Sequence, residues 1–313
     1  MNPDARIHVS LAHLRSLHGA AQGLSFLPRQ PSASVLNGRH ASRLRGRGLN
    51  FEEMRDYLPG DDIRSIDWKA TARTGRPHVR VFTEERDRPA LLVVDQRMSM
   101  FFGSQLNMKS VTAAEAAAIA AFRILDAGDR VGGIVFDNDS HVELVPKRSR
   151  RTAYALLEAI AEKNAGLHAD RPARPAPGEL NAVLNSVARI AHHDHLVFVF
   201  SDFDGIDEIT QRHLSGIATH NDVVLFLVYD PISERIEPGE RAVIGDSHMQ
   251  AEIDLGSKSI RDAVSEFTRQ RLEKIQRWQT EINLSVLPLS SGEETLPQIR
   301  RLMGGLSPRR RVR

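Results

Sequence analysis

Between Arg55 and Arg73 the chain carries Asp61, Asp62 and Asp67, a spacing at which carboxylates could hold two metal ions or divide acid and base work in a hydrolase or nuclease. The same stretch also offers these acids structural roles. Arg55, Arg64, Lys69 and Arg73 are close enough in sequence to pair with them. Asp61 or Asp62, following the Pro59-Gly60 turn, is placed to cap a short helical turn over 63–70. Trp68 is then expected to bury its ring against the sheet domain downstream. Local Arg pairing favours the structural reading, with an interaction surface as an intermediate possibility.

Other chemistry-bearing groups are weaker. Arg39, Arg43, Arg45 and Arg47 follow one another with no acid between them, and Gly46 and Gly48 let the backbone turn there. A phosphate-binding loop is one reading, but no Walker A pattern surrounds it. An Arg-rich loop folding back on Glu52, Glu53, Asp56, Asp61 and Asp62 is the simpler one. Nor does Gly46-Arg47-Gly48 lie between a strand and a helix, as a dinucleotide fingerprint would. His192, His193 and His195 raise a zinc reading. Adjacent residues on a helix diverge by about 100°, and imidazoles suit a helix C-terminus through its dipole. Ser99 lacks the G-x-S-x-G elbow of a hydrolase nucleophile.

The elements that must position these groups follow from hydrophobic periodicity. A helical stripe covers 7–19. Strands are expected at 78–84, 90–95, 131–136, 141–145, 195–200, 223–229 and 282–289. Helices are expected at 109–125, 151–163, 179–192, 207–217, 258–280 and 293–303, with a hairpin over 241–253. The continuous apolar runs, such as Ala90 to Val94, suit strands buried on both faces. Alternation of strand and helix from 88 to 304 predicts a doubly wound α/β fold with a mostly parallel sheet flanked by helices. The expected divisions are an extension over 1–77, the α/β domain over 78–306 and a basic, disordered tail over 307–313. In such folds function gathers at the carboxyl ends of the strands, at a switch point. Asp95 and Asp202 stand at two such ends.

Bulk properties exclude several classes. The 313 residues are 41% hydrophobic and 26% charged, ordinary for a globular protein. With no cysteine there is no disulfide, thiolate metal site or Cys nucleophile. A net charge of +2 gives little support to nucleic-acid binding. No apolar run approaches the roughly 18 residues of a membrane span. The first residues lack the order of a secretory signal, so a cytoplasmic location is expected.

The run from Gly46 to Arg73, with Tyr57, Pro59, Gly60, Asp61, Asp62, Arg64, Asp67, Trp68 and Arg73, resembles the signature of the bacterial DUF58 family. Residues 88–230 resemble a von Willebrand factor A domain, through Asp95-Gln96-Arg97-Met98-Ser99, Gly128-Asp129-Arg130-Val131-Gly132 and Ser201-Asp202. That resemblance implies a loop of the form Asp-x-Ser-x-Ser that binds a divalent cation through oxygen ligands. Arg97 replaces the first Ser, and the loop over 170–179 offers no Thr for the third hydroxyl. Asp95, Ser99 and Asp202 remain as candidate ligands for Mg2+ or Mn2+. The alternative is a degenerate site, in which the Arg97 guanidinium takes the cation's place and pairs Asp95 or Asp202. The resemblance further implies a non-enzymatic adaptor for a MoxR-type AAA+ ATPase in chaperone-like assembly. Its partner would meet Asp95, Ser99 and Asp202, with the Arg39–Arg47 loop as a second candidate surface.

Overall fold

The computed structural model describes residues 3–22, 49–58, 61, 63–84, 89–168, 179–233, 241–245, 250–254, 258–282 and 284–303. The Arg39–Arg47 loop, Pro59, Gly60, Asp62, the loop over 169–178 and the tail over 307–313 lie outside the described residues. In chain order the elements begin with α1 (Leu11–Ala21), β1 (Leu49–Asp56), α2 (Trp68–Thr74) and β2 (His78–Glu84). Next come β3 (Ala90–Asp95), α3 (Lys109–Asp126), β4 (Val131–Phe136), β5 (His141–Lys147), α4 (Arg150–Ala165) and α5 (Glu179–Ile190). Then follow β6 (Leu196–Ser201), α6 (Glu208–Ala218), β7 (Asp222–Tyr229), β8 (Arg241–Gly245) and β9 (Gln250–Asp254). The last are α7 (Lys258–Glu281), β10 (Ser285–Ser290) and α8 (Thr295–Met303).

The chain divides into two compact units, Met1–Pro28 with Arg88–Arg313, and Arg29–Asp87. This differs from the expected boundary at 77 and 78. The strand at 78–84 does not join the large sheet. It pairs antiparallel with β1, from Leu49 opposite Glu84 to Asp56 opposite His78. Leu49–Asp56 was not expected as a strand, because Glu52, Glu53 and Asp56 break its apolar pattern. The N-terminal helix does not belong with it either. Helix α1 packs on α3, with Leu14 and Ala21 fully buried.

The large unit is a doubly wound α/β fold. Its six-stranded sheet runs β10-β7-β6-β3-β4-β5, parallel throughout except for β5. Strands β3, β4 and β6 are buried at every position, as apolar runs covered on both faces must be. Helix α3 is rich in alanine and is buried on nearly all sides, because it lies between the sheet and helices α1, α4 and α8. Gly128, at φ +87°, adopts the left-handed conformation just beyond its C-terminus. The two faces of the sheet carry separate apolar clusters, one around α3 and α4 and one around α5, α6 and Trp278. The expected hairpin appears as β8 and β9. No helix among the described residues is long and apolar enough to cross a membrane.

Candidate functional site

The sheet order places the topological switch point between β3 and β6, since β4 follows β3 on one side and β6 lies on the other. A crevice is expected outside the carboxyl ends of these two strands. Asp95 is the last residue of β3, Ser201 is the last of β6, and Asp202 follows it. The fold thus brings together Asp95, Arg97, Ser99 and Asp202, all four residues named from the sequence.

Arg97 pairs with Asp95, one of the two partners expected for it. Its Nε donates to Oδ1 at 3.0 Å and Oδ2 at 3.1 Å, and its Nη2 to Oδ2 at 2.7 Å. The Arg97 backbone N–H closes the turn onto Oδ1 at 2.9 Å. Ser201 Oγ donates to Asp95 Oδ2 at 2.6 Å. The guanidinium carbon also stands 5.5 Å from the centre of the Phe136 ring, in cation–π range. Asp202 accepts from Lys109 Nζ at 2.7 Å and Ser99 Oγ at 3.3 Å, and lies 3.9 Å from Arg97 Nη2. Arg271 on α7 donates to the Asp202 carbonyl at 3.3 Å and pairs with Asp204. Asn138, in the β4–β5 turn, receives the Met98 N–H at 2.7 Å and holds the single 3-10 turn of the loop.

These charges lie out of water, and their titration follows from it. Burial opposes the charge on Arg97, yet Asp95, Asp202 and Asp204 around it hold its proton above the ordinary range. Burial would raise Asp202, but Lys109, Arg271 and Arg97 together hold it far below the usual carboxylate range. Phe203, next in the chain, has φ +54°. A bulky side chain rarely adopts that conformation, so the turn after β6 holds backbone strain beside the charges.

As arranged, these side chains do not fit a divalent metal. A cation would need carboxylate oxygens already held by Arg97 and Lys109, and would add two charges to a set in which Asp95, Asp202 and Asp204 face Arg97, Lys109 and Arg271. Ser99 spends its hydroxyl proton on Asp202.

Sequence reasoning missed Lys109, Asp204 and Arg271, and it named Ser201 only beside Asp202, without a role. Lys109 left one signal, being a base in the first helical position, where the dipole disfavours positive charge. Arg271 left none, since it meets Asp204 across 67 positions. A third acid also ends a strand. Asp230 follows β7 and accepts from Ser104 N at 2.8 Å, Ile232 N at 3.0 Å and Ser291 Oγ at 2.6 Å. Behind the loop, Gln96 Nε2 donates to Ser110 O at 3.0 Å and Asn164 Nδ2 donates to Gln96 Oε1 at 2.8 Å. Asn164 in turn receives the Val9 N–H at 2.8 Å, which ties the loop to the segment before α1.

The smaller unit bears on two expectations. The helix cap is Asp67, whose Oδ1 accepts from Lys69 N and Ala70 N at 2.9 and 3.1 Å. Arg55 grips Asp61 through two 2.8 Å bonds, and Asp61 accepts the Leu58 N–H; Asp62, the other expected cap, lies outside the described residues. The Trp68 ring is not buried but 66% exposed, because a seven-residue helix beside two strands gives little cover. Tyr57 N–H donates to Pro77 O at 2.8 Å, Arg64 lies in the 3-10 turn Ile63–Ser65, and Arg73 ends α2. In the large unit, α5 stops at Ile190, so the three histidines follow it. His193 pairs with Asp194, and His195 Nδ1 meets the His193 carbonyl.

Comparison with known proteins gives a family. The chain is 31% identical over 217 residues to uncharacterized proteins of Mycobacterium bovis and Mycobacterium tuberculosis, spanning 69% of this chain and 66% of theirs. Residues 53–274 match the family described as "Protein of unknown function DUF58". That match takes in the loops that follow β3 and β6 and, from residue 53 on, the Gly46–Arg73 run, and the chain belongs to the DUF58 family.

Proposed function

We propose that the protein is a non-enzymatic interaction module, an adaptor for a MoxR-type AAA+ ATPase in chaperone-like assembly or maturation. One observation carries the non-enzymatic reading. The acids at the switch point are each held by a base, and Asp95, Arg97 and Asp202 are almost wholly buried. A general base or a metal ligand needs a carboxylate with an open lone pair facing the reactant; here the charges serve one another. The parallel sheet with one antiparallel edge strand supports a von Willebrand factor A-like domain whose metal loop is degenerate, with Arg97 standing in for the cation. The choice of partner rests on the likeness of the Gly46–Arg73 run to the family signature. The protein would work in the cytoplasm.

Among the described acids of the smaller unit, the hydrolase or nuclease alternative gains no support from Asp61, held by Arg55, or from Asp67, whose Oδ1 caps its own helix. The test is capture on the purified full chain from its own cell lysate, with ATP and Mg2+ and separately with chelator. Retention of an AAA+ ATPase whose ATP hydrolysis rate the chain alters is the expected result. Metal-stimulated phosphodiester or ester cleavage by the chain, abolished in Asp61→Asn or Asp95→Asn, would overturn the proposal.

A further inference from the structure

Strand β5 forms one edge of the large sheet, and among the described residues no strand pairs with its outer side. The Asp137 N–H donates to Ser140 O, which sets the alternation of the β4–β5 ladder. By that alternation the backbone N–H and C=O of His141 and Glu143 point away from β4. An edge of this kind is a template for another strand unless it is blunted. Here only its far end is blunted, by a register shift between Val131 and Gly133 and by Pro146. Val142 and Val145 stand 38% and 61% exposed.

Beside the edge runs a groove of about 470 Å3, lined by Glu143, Leu144, Val145, Lys147, Arg151 and Ala155 among others. The sequence Lys147-Arg148-Ser149-Arg150-Arg151 places four bases in five positions at the start of α4, with no acid in the first turn. That placement is opposed to the helix dipole, so positive potential accumulates at the mouth of the groove. The one acid in the lining, Glu143, is already paired with Arg189 at 2.8 Å and His141 at 3.1 Å.

We propose that the β5 edge and its groove receive an extended acidic segment of a partner protein, added as a strand. Main-chain bonds would form at His141 and Glu143, acids would reach Lys147, Arg150 and Arg151, and an apolar side chain would cover Val145. Strand addition draws affinity from the main chain and specificity from alternate side chains. The open backbone and the exposed valines favour a peptide, since a nucleic acid would use the bases alone. This surface lies apart from the switch-point site and stands whether or not the ATPase reading does.

The probe is a fluorescein-labelled octapeptide alternating Glu and Val, with a Lys-Val octapeptide and a single-stranded oligonucleotide for comparison, read by anisotropy on the full chain. The acidic peptide is expected to bind saturably and to slow amide exchange at His141 and Glu143. Reversing the bases in Arg150→Glu/Arg151→Glu should weaken it by about tenfold or more. Val145→Asp keeps the bases and should weaken it as well, which keeps the idea testable if the double variant folds poorly. No binding, an affinity unmoved by both variants, or exchange unchanged at the edge would refute strand addition. Tighter binding of the oligonucleotide would reassign the patch to nucleic acid and overturn the proposal.

Discussion

The guanidinium of Arg97 lies against the carboxylate of Asp95 where both are closed to water, with side-chain exposures of 6% and 0%. Breaking such a pair from one side leaves a buried charge alone. Arg97→Ala is therefore expected to destabilise the chain by about 3–5 kcal/mol, read as a lower urea midpoint. Arg97→Lys should recover only part of this, because an ammonium cannot reproduce the fork.

If Arg97 stands in for a cation, removing it should create a demand for one. Mg2+ or Mn2+ is expected to leave the Tm of the natural chain unchanged. In Arg97→Ser, which completes an Asp-x-Ser-x-Ser loop at 95–99, Mn2+ should raise the Tm in a concentration-dependent way. A rise of equal size in the natural chain would show that the loop takes metal with Arg97 present.

The depressed titration of Asp202 makes stability depend on acid. A carboxyl lowered by folding contributes stability that is fully present above its unfolded pKa, about 4. The contribution is lost as pH falls from there towards the depressed folded value. The urea midpoint should accordingly drop as pH is lowered below about 4. Lys109→Met removes the nearest base and should make that dependence shallower.

Gly132 has no room for a side chain. A Cβ there would lie 2.2 Å from Leu144 O and 2.5 Å from Pro146 N, both backbone atoms of the β5 bulge. Gly132→Ala should cost about 3 kcal/mol or prevent folding, since the backbone must shift to admit it. Differential scanning calorimetry of the variant would measure the loss.

The two tryptophans differ in environment. Trp68 is 66% exposed and Trp278 1%. Iodide should quench one component of the emission, and Trp68→Phe should remove that component with a stability change within about 0.5 kcal/mol. A Trp68 shielded from iodide would mean that something covers it in solution.

Much of the large unit was legible in the sequence. Strands β3, β6 and β7 are continuous apolar runs, and the acids that end β3 and β6 pointed to the switch point before any contact was known. Arg97 was legible as well, because a base inside an acid-and-hydroxyl loop has few other roles. Arg271 was not, since long-range pairing leaves no local pattern, and Lys109 left only its unfavourable place in the first helical position. In the smaller unit the pairing of Asp61 was hidden for a related reason, since only the fold reveals that Arg55 takes Asp61 and that Asp67 caps α2. Trp68 was assigned to the interior by its type, whereas exposure depends on what lies over it.

The large unit is assembled from two stretches of chain with the smaller unit inserted between them. His13 on α1 meets Glu115 on α3 across 102 positions. During synthesis α1 therefore emerges roughly 5–20 s before the helix it packs on. An eleven-residue helix is marginal alone in water, so it stays unformed for that time. The inserted segment is complete while its host is still a fragment. Leu11, Leu14 and Leu17 are then an apolar stripe without a core, open to a chaperone or to a neighbouring nascent chain until α3 arrives.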